Sequence, residues 1–313
     1  MNMSDKFRLD RLEGLRGELR HDEPMARYVT WRAGGRARRL YRPADLDDLA
    51  ASLRCLPADE AVLFVGLGSN LLVRDGGFAG TVVLTHAAGR HPEFVDGCVY
   101  AEAGVASPKV ARFAARNNLA DAEFLAGVPG TVGGALAMNA GCHGAETWDI
   151  VERVLTVDRA GTLHRRGAAE FETGYRHCAL RSGARLGEHE WFAAAWFRLV
   201  PGDGAASRAR VKALLARRVA TQPLQLPNAG SVFRNPPSDH AARLIESCGL
   251  KGLARGGARV SEKHANFIVN PKGVARASDI EWLIEAVRSR VRMRTGIDLI
   301  LEVRIVGDVG QPA

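Results

Sequence analysis

Two glycine-rich loops constrain the fold of this chain more than any other feature of its sequence. The first spans residues 66–70 (GLGSN), and the second, which contains the run GVPGTVGG, lies within residues 126–144. Because glycine has no Cβ, the backbone N–H groups of such loops can approach the oxygens of a phosphate. Ser69, Asn70 and Thr131 add side-chain donors. The sequence therefore predicts that both loops bind an anionic ligand.

Neither loop matches the phosphate-binding motifs of the commonest nucleotide-binding folds. Neither is a GxGxxG run at the start of a βαβ unit, and neither ends in the GK[ST] of a P-loop. A Rossmann site and a P-loop NTPase site are therefore both poor fits. In a single loop such glycines could simply form turns, but two such loops in one domain favour a bound ligand.

The composition favours a folded chain that binds a small anionic ligand. The 313 residues are 46% hydrophobic and carry a formal net charge of +8, which attracts anionic partners. Lys and Arg are spread along the chain, and the clusters at 36–39 and 288–294 are short and not interleaved with aromatic residues. We therefore expect no nucleic-acid partner. The sequence does not define an oligomeric state.

The predicted location of the protein is the cytoplasm. The first eleven residues are polar and charged, without the apolar segment of a signal peptide. No window approaches 18 uninterrupted apolar residues, so we expect no membrane span. The five cysteines are widely spaced and form no CxxC pair, which argues against disulfides and against a metal site.

Apolar periodicity and capping residues predict an α+β fold. Helices are expected at 45–55, 205–220 and 241–248, the last ended by Gly249. Two more are expected, one with Ser107 as N-cap and Pro108 as its first residue, and one that begins at the capping box 278–281. The helix that begins at 278 has one apolar stripe: Ile280, Leu283, Ile284, Val287 and Val291. Strands are expected at 61–65, 81–84, 98–105, 151–157, 162–165, 191–200 and 299–306.

Changes in composition along the chain predict its domains. Residues 1–20 are charged and are expected to be peripheral. The run PGDG at 201–204 predicts a linker. It separates an N-terminal domain at 21–200 from a C-terminal domain at 205–313.

Several short runs resemble those of one enzyme family and occur in that family's order. They are TWRAGG (30–35), GSNLLV (68–73), GVPGTVGGA (127–135), NAG (139–141), YR (175–176), NAGSVFRNP (228–236), GLKG (249–252), KHANF (263–267) and LEVR (301–304). Each run alone is weak, but the ordered set is very specific. Over residues 30–307 the chain is similar to the UDP-N-acetylenolpyruvoylglucosamine reductase (MurB) family.

The resemblance implies a vanillyl-alcohol-oxidase-type (PCMH-type) FAD-binding domain with two subdomains in the N-terminal range. It also implies an α+β substrate-binding domain in the C-terminal range. The positions that match the family's FAD site are Gly66, Gly68, Ser69, Asn70, Leu71, Pro129, Gly130, Thr131, Gly133, Gly134, Asn139 and Gly141.

The reaction implied by the family is a reduction in peptidoglycan precursor synthesis, and hence in building the cell wall. NADPH reduces FAD, NADP⁺ leaves, and hydride then passes to the enolpyruvyl ether of UDP-N-acetylglucosamine, giving UDP-N-acetylmuramate. In this family both ligands use one site in turn, which agrees with the missing GxGxxG run.

Three residues match the family's catalytic positions. Hydride at C3 of the enolpyruvyl group leaves negative charge at C2, which needs nearby positive charge or donors and then a proton. Arg176 resembles the arginine that supplies the charge, and Ser231 resembles the serine that protonates C2. Glu302 resembles the third member, which helps to stabilise the intermediate and could donate a hydrogen bond if protonated.

Four further positions resemble those that line the UDP site: Tyr175, Asn235, Lys251 and His264. Lys251 lies in a glycine-flanked run, where a flexible ammonium group can reach a phosphate. Each of these residues could instead be an ordinary polar group under a loop.

The chain departs from the family pattern at a few positions. Arg234 stands where many members have Lys, and Cys178 stands where Ser is common, which weakens any hydrogen bond from that side chain. His143 follows the NAG run, yet this family does not attach flavin through histidine, so we expect FAD to be non-covalent. The stretch 178–222 is short and predicts the second family type, which lacks a tyrosine-bearing insertion.

Two other functions fit parts of the pattern. One is a different FAD enzyme of the same fold, such as a sugar or hydroxy-acid oxidase. The other is a basic nucleic-acid-binding protein without flavin, whose binding would be sensitive to salt.

Overall fold

The computed structural model describes residues 12, 14–87 and 89–310 of the chain. These residues form two compact units. Of the described residues, unit one comprises those up to Asp22, Arg39–Gly66 and Gly80–Leu215, and unit two comprises Glu23–Arg38, Leu67–Ala79 and those from Ala216 onward.

The described residues contain α-helices, short 3₁₀ turns and strands. The α-helices are α1 (Leu46–Cys55), α2 (Ser107–Arg116), α3 (Val132–Ala137), α4 (Gly204–Thr221), α5 (Ala241–Ser247) and α6 (Ala277–Thr295). The 3₁₀ helices are Met25–Arg27, Glu123–Gly127, Thr147–Ile150 and Ala168–Glu170.

The strands are numbered in chain order. The first nine are β1 (Glu18–Pro24), β2 (Arg36–Arg42), β3 (Val62–Val65), β4 (Leu71–Val73), β5 (Phe78–Leu84), β6 (Glu93–Val95), β7 (Cys98–Glu102), β8 (Gly141–Cys142) and β9 (Ala145–Glu146). The others are β10 (Val151–Asp158), β11 (Leu163–Gly167), β12 (Phe171–Gly174), β13 (His177–Leu180), β14 (Glu190–Phe197), β15 (Ala254–Arg255), β16 (Ala258–Val260), β17 (Ile268–Val269) and β18 (Arg304–Val306).

Unit one is built around an antiparallel five-stranded sheet in the order β11-β10-β14-β7-β6. Val99 and Phe197 on one face of the sheet pack with residues of α2 and α3. On the other face, Trp191 packs with Leu49 and Leu53 of α1. Apolar side chains therefore cover both faces of the five-stranded sheet. A separate four-stranded sheet has the order β1-β2-β5-β3, and in it β3 and β5 pair in parallel.

Unit two has its own core around α5 and α6. The apolar stripe of α6 packs with β16 and β17 of a three-stranded antiparallel sheet. Trp31 is fully buried in this core, and its Nε1 donates a hydrogen bond to the carbonyl of Ile268 at 2.7 Å. The strands β18 and β4 pair in parallel. Residues far apart in sequence thus share one core.

Most predicted elements are present in the structure. The helix expected at 45–55 is α1, whose N-cap Asp45 accepts a hydrogen bond from the backbone N of Asp48 at 2.9 Å. The strands expected at 151–157 and 162–165 are β10 and β11, which pair as an antiparallel hairpin. All five residues of the predicted apolar stripe on α6 are buried, and each contributes roughly 2 kcal/mol by its removal from water.

Three predicted boundaries were wrong. Ser107 is the first residue of α2 and not its N-cap, because Ala106 takes the extended cap conformation in a bridge to Thr131. The helix predicted from 278 begins at Ala277, with Arg276 as N-cap. The strand expected over 299–306 is regular only from Arg304 to Val306, although Leu301 forms an isolated bridge to Phe233.

The two units divide the chain differently from the predicted domain ranges. The junction between Leu215 and Ala216 falls inside α4, whereas the linker was expected at 201–204. The division into domains at 1–20, 21–200 and 205–313 therefore remains a prediction. In the described part of the chain, no helix combines the length and apolar character that crossing a bilayer requires.

Candidate functional site

The second glycine-rich loop lies against the end of β7 in unit one. It runs from the 3₁₀ turn Glu123–Gly127 to the start of α3. Ser107 N donates to Gly130 O at 3.1 Å, and Gly133 N donates to Ala103 O at 2.9 Å. Gly130 has a φ of +117°, which is a conformation that glycine adopts readily. Backbone hydrogen bonds therefore hold the loop in a fixed shape.

The glycines of this region divide into packed and open positions. A Cβ on Gly66 would overlap the Oγ1 of Thr131, and a Cβ on Gly133 would lie 2.9 Å from the Cβ of Ala103. In contrast, a Cβ on Gly134 would meet no atom within 4 Å. Pro129 and Gly134 are exposed. Bare backbone on an open side is what a phosphate-binding loop requires, so these residues fit the expected FAD.

Asn139 joins the end of this region to the hairpin β12–β13. It is buried with a φ of +40°. Its Nδ2 donates to Glu146 Oε2 at 2.7 Å and to the carbonyl of Gly174 at 3.1 Å, and its Oδ1 accepts from Trp148 N at 3.1 Å. The Asn139 side chain thus fixes the hairpin, and its predicted contact with FAD stays a prediction.

Arg176 lies in the turn of that hairpin, where Gly174 pairs with His177. Its φ is +53°, a conformation that costs a non-glycine residue roughly 1 kcal/mol. The Nη2 of Arg176 donates to the carbonyl of Gly141 at 3.2 Å, and its Cζ lies 5.1 Å from the centre of the Tyr175 ring. Tyr175 is 49% exposed. Three predicted site residues, Gly141, Tyr175 and Arg176, therefore lie together.

Cys178 follows this turn on β13. Burial raises the pKa of its thiol to about 12, while a hydrogen bond with Trp148 acts in the opposite direction. The thiol is therefore protonated and unreactive at neutral pH. At this position the side chain is only a weak hydrogen-bond donor.

In unit two, Ser231 and Glu302 lie on paired segments. Glu302 N donates to the carbonyl of Val232 at 2.8 Å, and Arg234 N donates to the carbonyl of Ile300 at 2.8 Å. Before Ser231, the chain turns at Gly230, where φ is +75°. The backbone segments that carry two of the three predicted catalytic residues are thus adjacent, although the residues are 71 positions apart in the sequence.

The first glycine-rich loop supports the Glu302 backbone. Asn70 Nδ2 donates to the carbonyl of Glu302 at 3.0 Å, and Arg304 N donates to the carbonyl of Asn70 at 3.0 Å. Leu71 pairs with Arg304 at the start of β4. Gly68 has a φ of +61°, and a Cβ there would overlap the carbonyl of Tyr28. The sequence did not predict this link from Asn70 to Glu302, because it depends on parallel strand pairing.

Lys251 and His264 form part of a second polar group in unit two. Lys251 Nζ lies 2.6 Å from Glu246 Oε1. Burial lowers the pKa of His264, and the charge of Lys251 lowers it further, although a backbone hydrogen bond and Glu246 act in the opposite direction. The Nδ1 of His264 is buried and has no hydrogen-bond partner among the described residues. His264 is therefore neutral at pH 7 and has an unused polar atom. Sequence reasoning did not find Glu246.

Asn235 and Arg234 lie just before α5. Asn235 Oδ1 accepts a hydrogen bond from Ala241 N at 3.1 Å, at the first residue of that helix. The Nε of Arg234 is buried without a hydrogen-bond partner in the described structure. A buried donor without a partner costs free energy. Donors of this kind are typical of sites that bind a ligand. Within the described residues, no three His, Cys, Asp or Glu side chains are grouped as a metal site would need.

Two family models match the chain. Residues 37–167 match an FAD binding domain. Residues 222–306 match the UDP-N-acetylenolpyruvoylglucosamine reductase C-terminal domain. The predicted fold class is thereby confirmed: a vanillyl-alcohol-oxidase-type FAD-binding domain is followed by a C-terminal α+β domain.

Known proteins are similar over nearly the whole chain. UDP-N-acetylenolpyruvoylglucosamine reductase of Thiobacillus denitrificans is 59% identical over 308 residues, which cover 94% of each chain. The reductase of Alkalilimnicola ehrlichii is 60% identical over 293 residues, 93% of this chain and 96% of its own. The crystal structure of the Thermus caldophilus reductase (MurB) has a TM-score of 0.77 at 32% identity, covering 93% of this chain and 99% of its own. The chain therefore belongs to the UDP-N-acetylenolpyruvoylglucosamine reductase family and contains that family's FAD-binding domain.

Proposed function

We propose that this protein uses NADPH and non-covalently bound FAD to reduce UDP-N-acetylglucosamine enolpyruvate to UDP-N-acetylmuramate, in the cytoplasm. The observation that carries the proposal is the pairing of the Ser231 and Glu302 segments, in a chain whose family bears the name of this reaction. A proton donor and a carboxyl group on adjacent segments suit a reaction that creates and then protonates a carbanion.

When bound, FAD would supply the chemistry of hydride transfer from NADPH to the enolpyruvyl group. The residues that would hold it are those that match the family's FAD site: Gly66, Gly68, Ser69, Asn70, Leu71, Pro129, Gly130, Thr131, Gly133, Gly134, Asn139 and Gly141. We assign no separate nicotinamide domain, and NADPH and the UDP-sugar bind in turn.

Arg176 is assigned to the negative charge that develops at C2 and spreads into the substrate's carboxylate. A guanidinium group can hold a carboxylate through two parallel hydrogen bonds. Because the Arg176 side chain already donates to Gly141 and lies on Tyr175, its orientation is set before substrate binds. Such preorganisation lowers the cost of stabilising charge in the transition state.

Ser231 is assigned as the proton donor to C2. A hydroxyl is a weak acid, but the carbanion is a strong base, so the transfer is favourable. With hydride at C3 and the proton at C2, one H₂ equivalent is added across the double bond. Glu302 is assigned to stabilising the intermediate, and its backbone is fixed by Val232 and Asn70.

The nucleotide's diphosphate is assigned to unit-two residues. Lys251 supplies positive charge, and the neutral His264 is assigned beside it. Asn235 and the exposed Tyr175 complete the assigned substrate residues. The net charge of +8 favours the approach of such an anionic substrate.

The test measures NADPH oxidation with and without the enolpyruvyl nucleotide, first for the wild type and then for Ser231→Ala. We expect the wild type to oxidise NADPH steadily only when the nucleotide is present. In Ser231→Ala, NADPH should still bleach the flavin absorbance, but the nucleotide should not restore it. Full turnover in the variant would refute the role of Ser231. Rapid oxygen consumption with a free sugar, without any response to the nucleotide, would indicate an oxidase.

A further inference from the structure

Asn266 is a buried asparagine to which the proposed reaction gives no direct task. It is 3% exposed and lies in the run KHANF. Its Oδ1 accepts a hydrogen bond from Phe233 N at 3.0 Å, and its Nδ2 donates to the carbonyl of Phe233 at 2.8 Å. One side-chain amide therefore satisfies both backbone groups of a residue two positions after Ser231.

The backbone of Asn266 adds a third hydrogen bond to the same segment. Val232 N donates to the carbonyl of Asn266 at 2.9 Å. The carbonyl of Val232 accepts from Glu302 N at 2.8 Å. The peptide groups that follow Ser231 are thus held by Asn266 through one set of hydrogen bonds and by the Glu302 segment through another.

We propose that Asn266 is a positioning residue that fixes Ser231 relative to Glu302 through the backbone of Val232 and Phe233. This inference rests on the proposed function, in which Ser231 protonates C2. Proton transfer requires the donor within hydrogen-bond reach of the accepting carbon, and a displacement of about 1 Å can slow a reaction about 100-fold. A buried side-chain amide whose oxygen and nitrogen are both hydrogen-bonded limits such displacements of the backbone.

The experiment separates the two halves of the reaction in the FAD-loaded enzyme. Asn266→Ala removes both side-chain hydrogen bonds, and Asn266→Asp keeps the shape but removes the donor to Phe233. Stopped-flow absorbance follows bleaching of the flavin by NADPH and then the return of colour when the enolpyruvyl nucleotide is added. We expect colour return to slow about 10- to 100-fold in both variants, while bleaching and the Kd for FAD change by less than about twofold.

Asn270 provides a matched control. It is fully buried, and its Nδ2 donates to the carbonyl of Trp31 at 2.9 Å while its Oδ1 accepts from Ala275 N at 3.0 Å. Asn270→Ala therefore loses the same kinds of hydrogen bond without touching the Ser231 segment through its side chain. We expect it to lower the Tm but to keep the ratio of the two rates.

Each outcome decides between the proposals. If both rates fall together, or if both Asn266 variants fail to retain FAD, Asn266 has a general structural role and the inference is wrong. If Ser231→Ala slows colour return and the Asn266 variants do not, only the positioning role fails. If Ser231→Ala leaves colour return unchanged, the proposed function itself fails. In Ser231→Ala/Asn266→Ala, colour return should be no slower than in Ser231→Ala, because the residues act as a unit.

Discussion

Arg176 combines a positive φ with a side chain that is held by Gly141 and Tyr175. A local preference would not select this backbone conformation for arginine. The hairpin pairing and the hydrogen bonds of Asn139 impose it. Strained residues of this kind are concentrated at functional sites, which supports the role assigned to the guanidinium group.

We expect Arg176→Ala to lower kcat about 100- to 1000-fold, the usual loss when one charge-stabilising donor is removed. Arg176→Lys should recover only part of the rate, because the ammonium group keeps the charge but not the planar fork. Steady-state NADPH oxidation measures both effects, and the flavin spectrum should be unchanged. The exposed Arg112 is the control, and Arg112→Ala should have wild-type kcat. A wild-type rate in Arg176→Ala would contradict the assignment.

The single-residue departures from the family pattern could be found in the sequence, but their consequences could not. Cys178 was recognisable as a replacement for serine, yet the strong rise in the pKa of its thiol depends on burial that the local sequence does not show. Likewise, the contact between Lys251 and Glu246 depends on the turn after α5. Residue identity predicted the chemistry, and tertiary packing determined its environment.

The glycine-rich loop before α3 gives a prediction at the scale of an element. Gly134→Ala should increase the free energy of unfolding of the FAD-free protein by about 0.5–1 kcal/mol, because glycine in a helix is less stable than alanine. Gly134 lies in α3, and the space around the new Cβ is open. The same methyl group should weaken FAD binding by filling the open side of the loop. Urea unfolding and a fluorescence titration with FAD measure the two effects.

Gly167 is the control for this substitution. A Cβ there also meets no atom within 4 Å, and Gly167 has no positive φ. Gly167→Ala should therefore leave the Kd for FAD unchanged. If Gly134→Ala also left it unchanged, the open side of the loop would not be the surface that binds FAD.

The start of α6 shows where sequence patterns stop being sufficient. The apolar stripe was predicted correctly, but the capping residues were not, because part of the cap comes from a distant residue. Asp75 accepts hydrogen bonds from the backbone N of Ala277 at 2.9 Å and from that of Ser278 at 2.9 Å. A cap supplied from about 200 residues away leaves no local pattern.

This cap predicts a stability that depends on pH. Burial acts to raise the pKa of Asp75, but hydrogen bonds from Ser278 and Ala277 outweigh it, so the pKa lies below its ordinary value of 3.8. The contribution of a lowered carboxyl pKa is present above that ordinary value and is lost as pH falls through the folded value. We expect Asp75→Ala to lower the free energy of unfolding by about 1 kcal/mol at pH 7, and the difference from wild type to shrink below the ordinary pKa.

Urea unfolding from pH 7 down to pH 3 measures this difference. Asp59 is exposed, and Asp59→Ala should have nearly the stability of the wild type at each pH. A difference between Asp75→Ala and wild type that stayed constant across this range would show that the carboxylate charge does not support the helix.

At the scale of the whole molecule, the composition and the ordered motifs predicted the family and its fold class. The division of the chain into compact units could not be predicted in the same way. Unit two takes residues 23–38 and 67–79 from the N-terminal half. The interactions responsible are the hydrogen bond from Trp31 to Ile268 and the parallel pairing of β4 with β18. Such contacts join residues more than 200 positions apart, beyond the range of any local periodicity.

The attachment of FAD is the last property that belongs to the molecule as a whole. The histidine nearest to the second glycine-rich loop in the sequence is His143, which is exposed in the turn between β8 and β9 with a φ of +58°. Covalent attachment would require this ring to reach the flavin. We predict instead that FAD is held by hydrogen bonds and packing alone, so that unfolding releases it.

Acid precipitation of the FAD-loaded protein tests this prediction. We expect essentially all the yellow colour in the supernatant, a colourless pellet, and an intact mass equal to that of the polypeptide. His143→Ala should release the same amount of flavin per protein as the wild type. A yellow wild-type pellet with a mass increased by one flavin, abolished by His143→Ala, would instead establish a covalent bond. In that case the glycine-rich loops would position a tethered cofactor rather than provide its full binding energy.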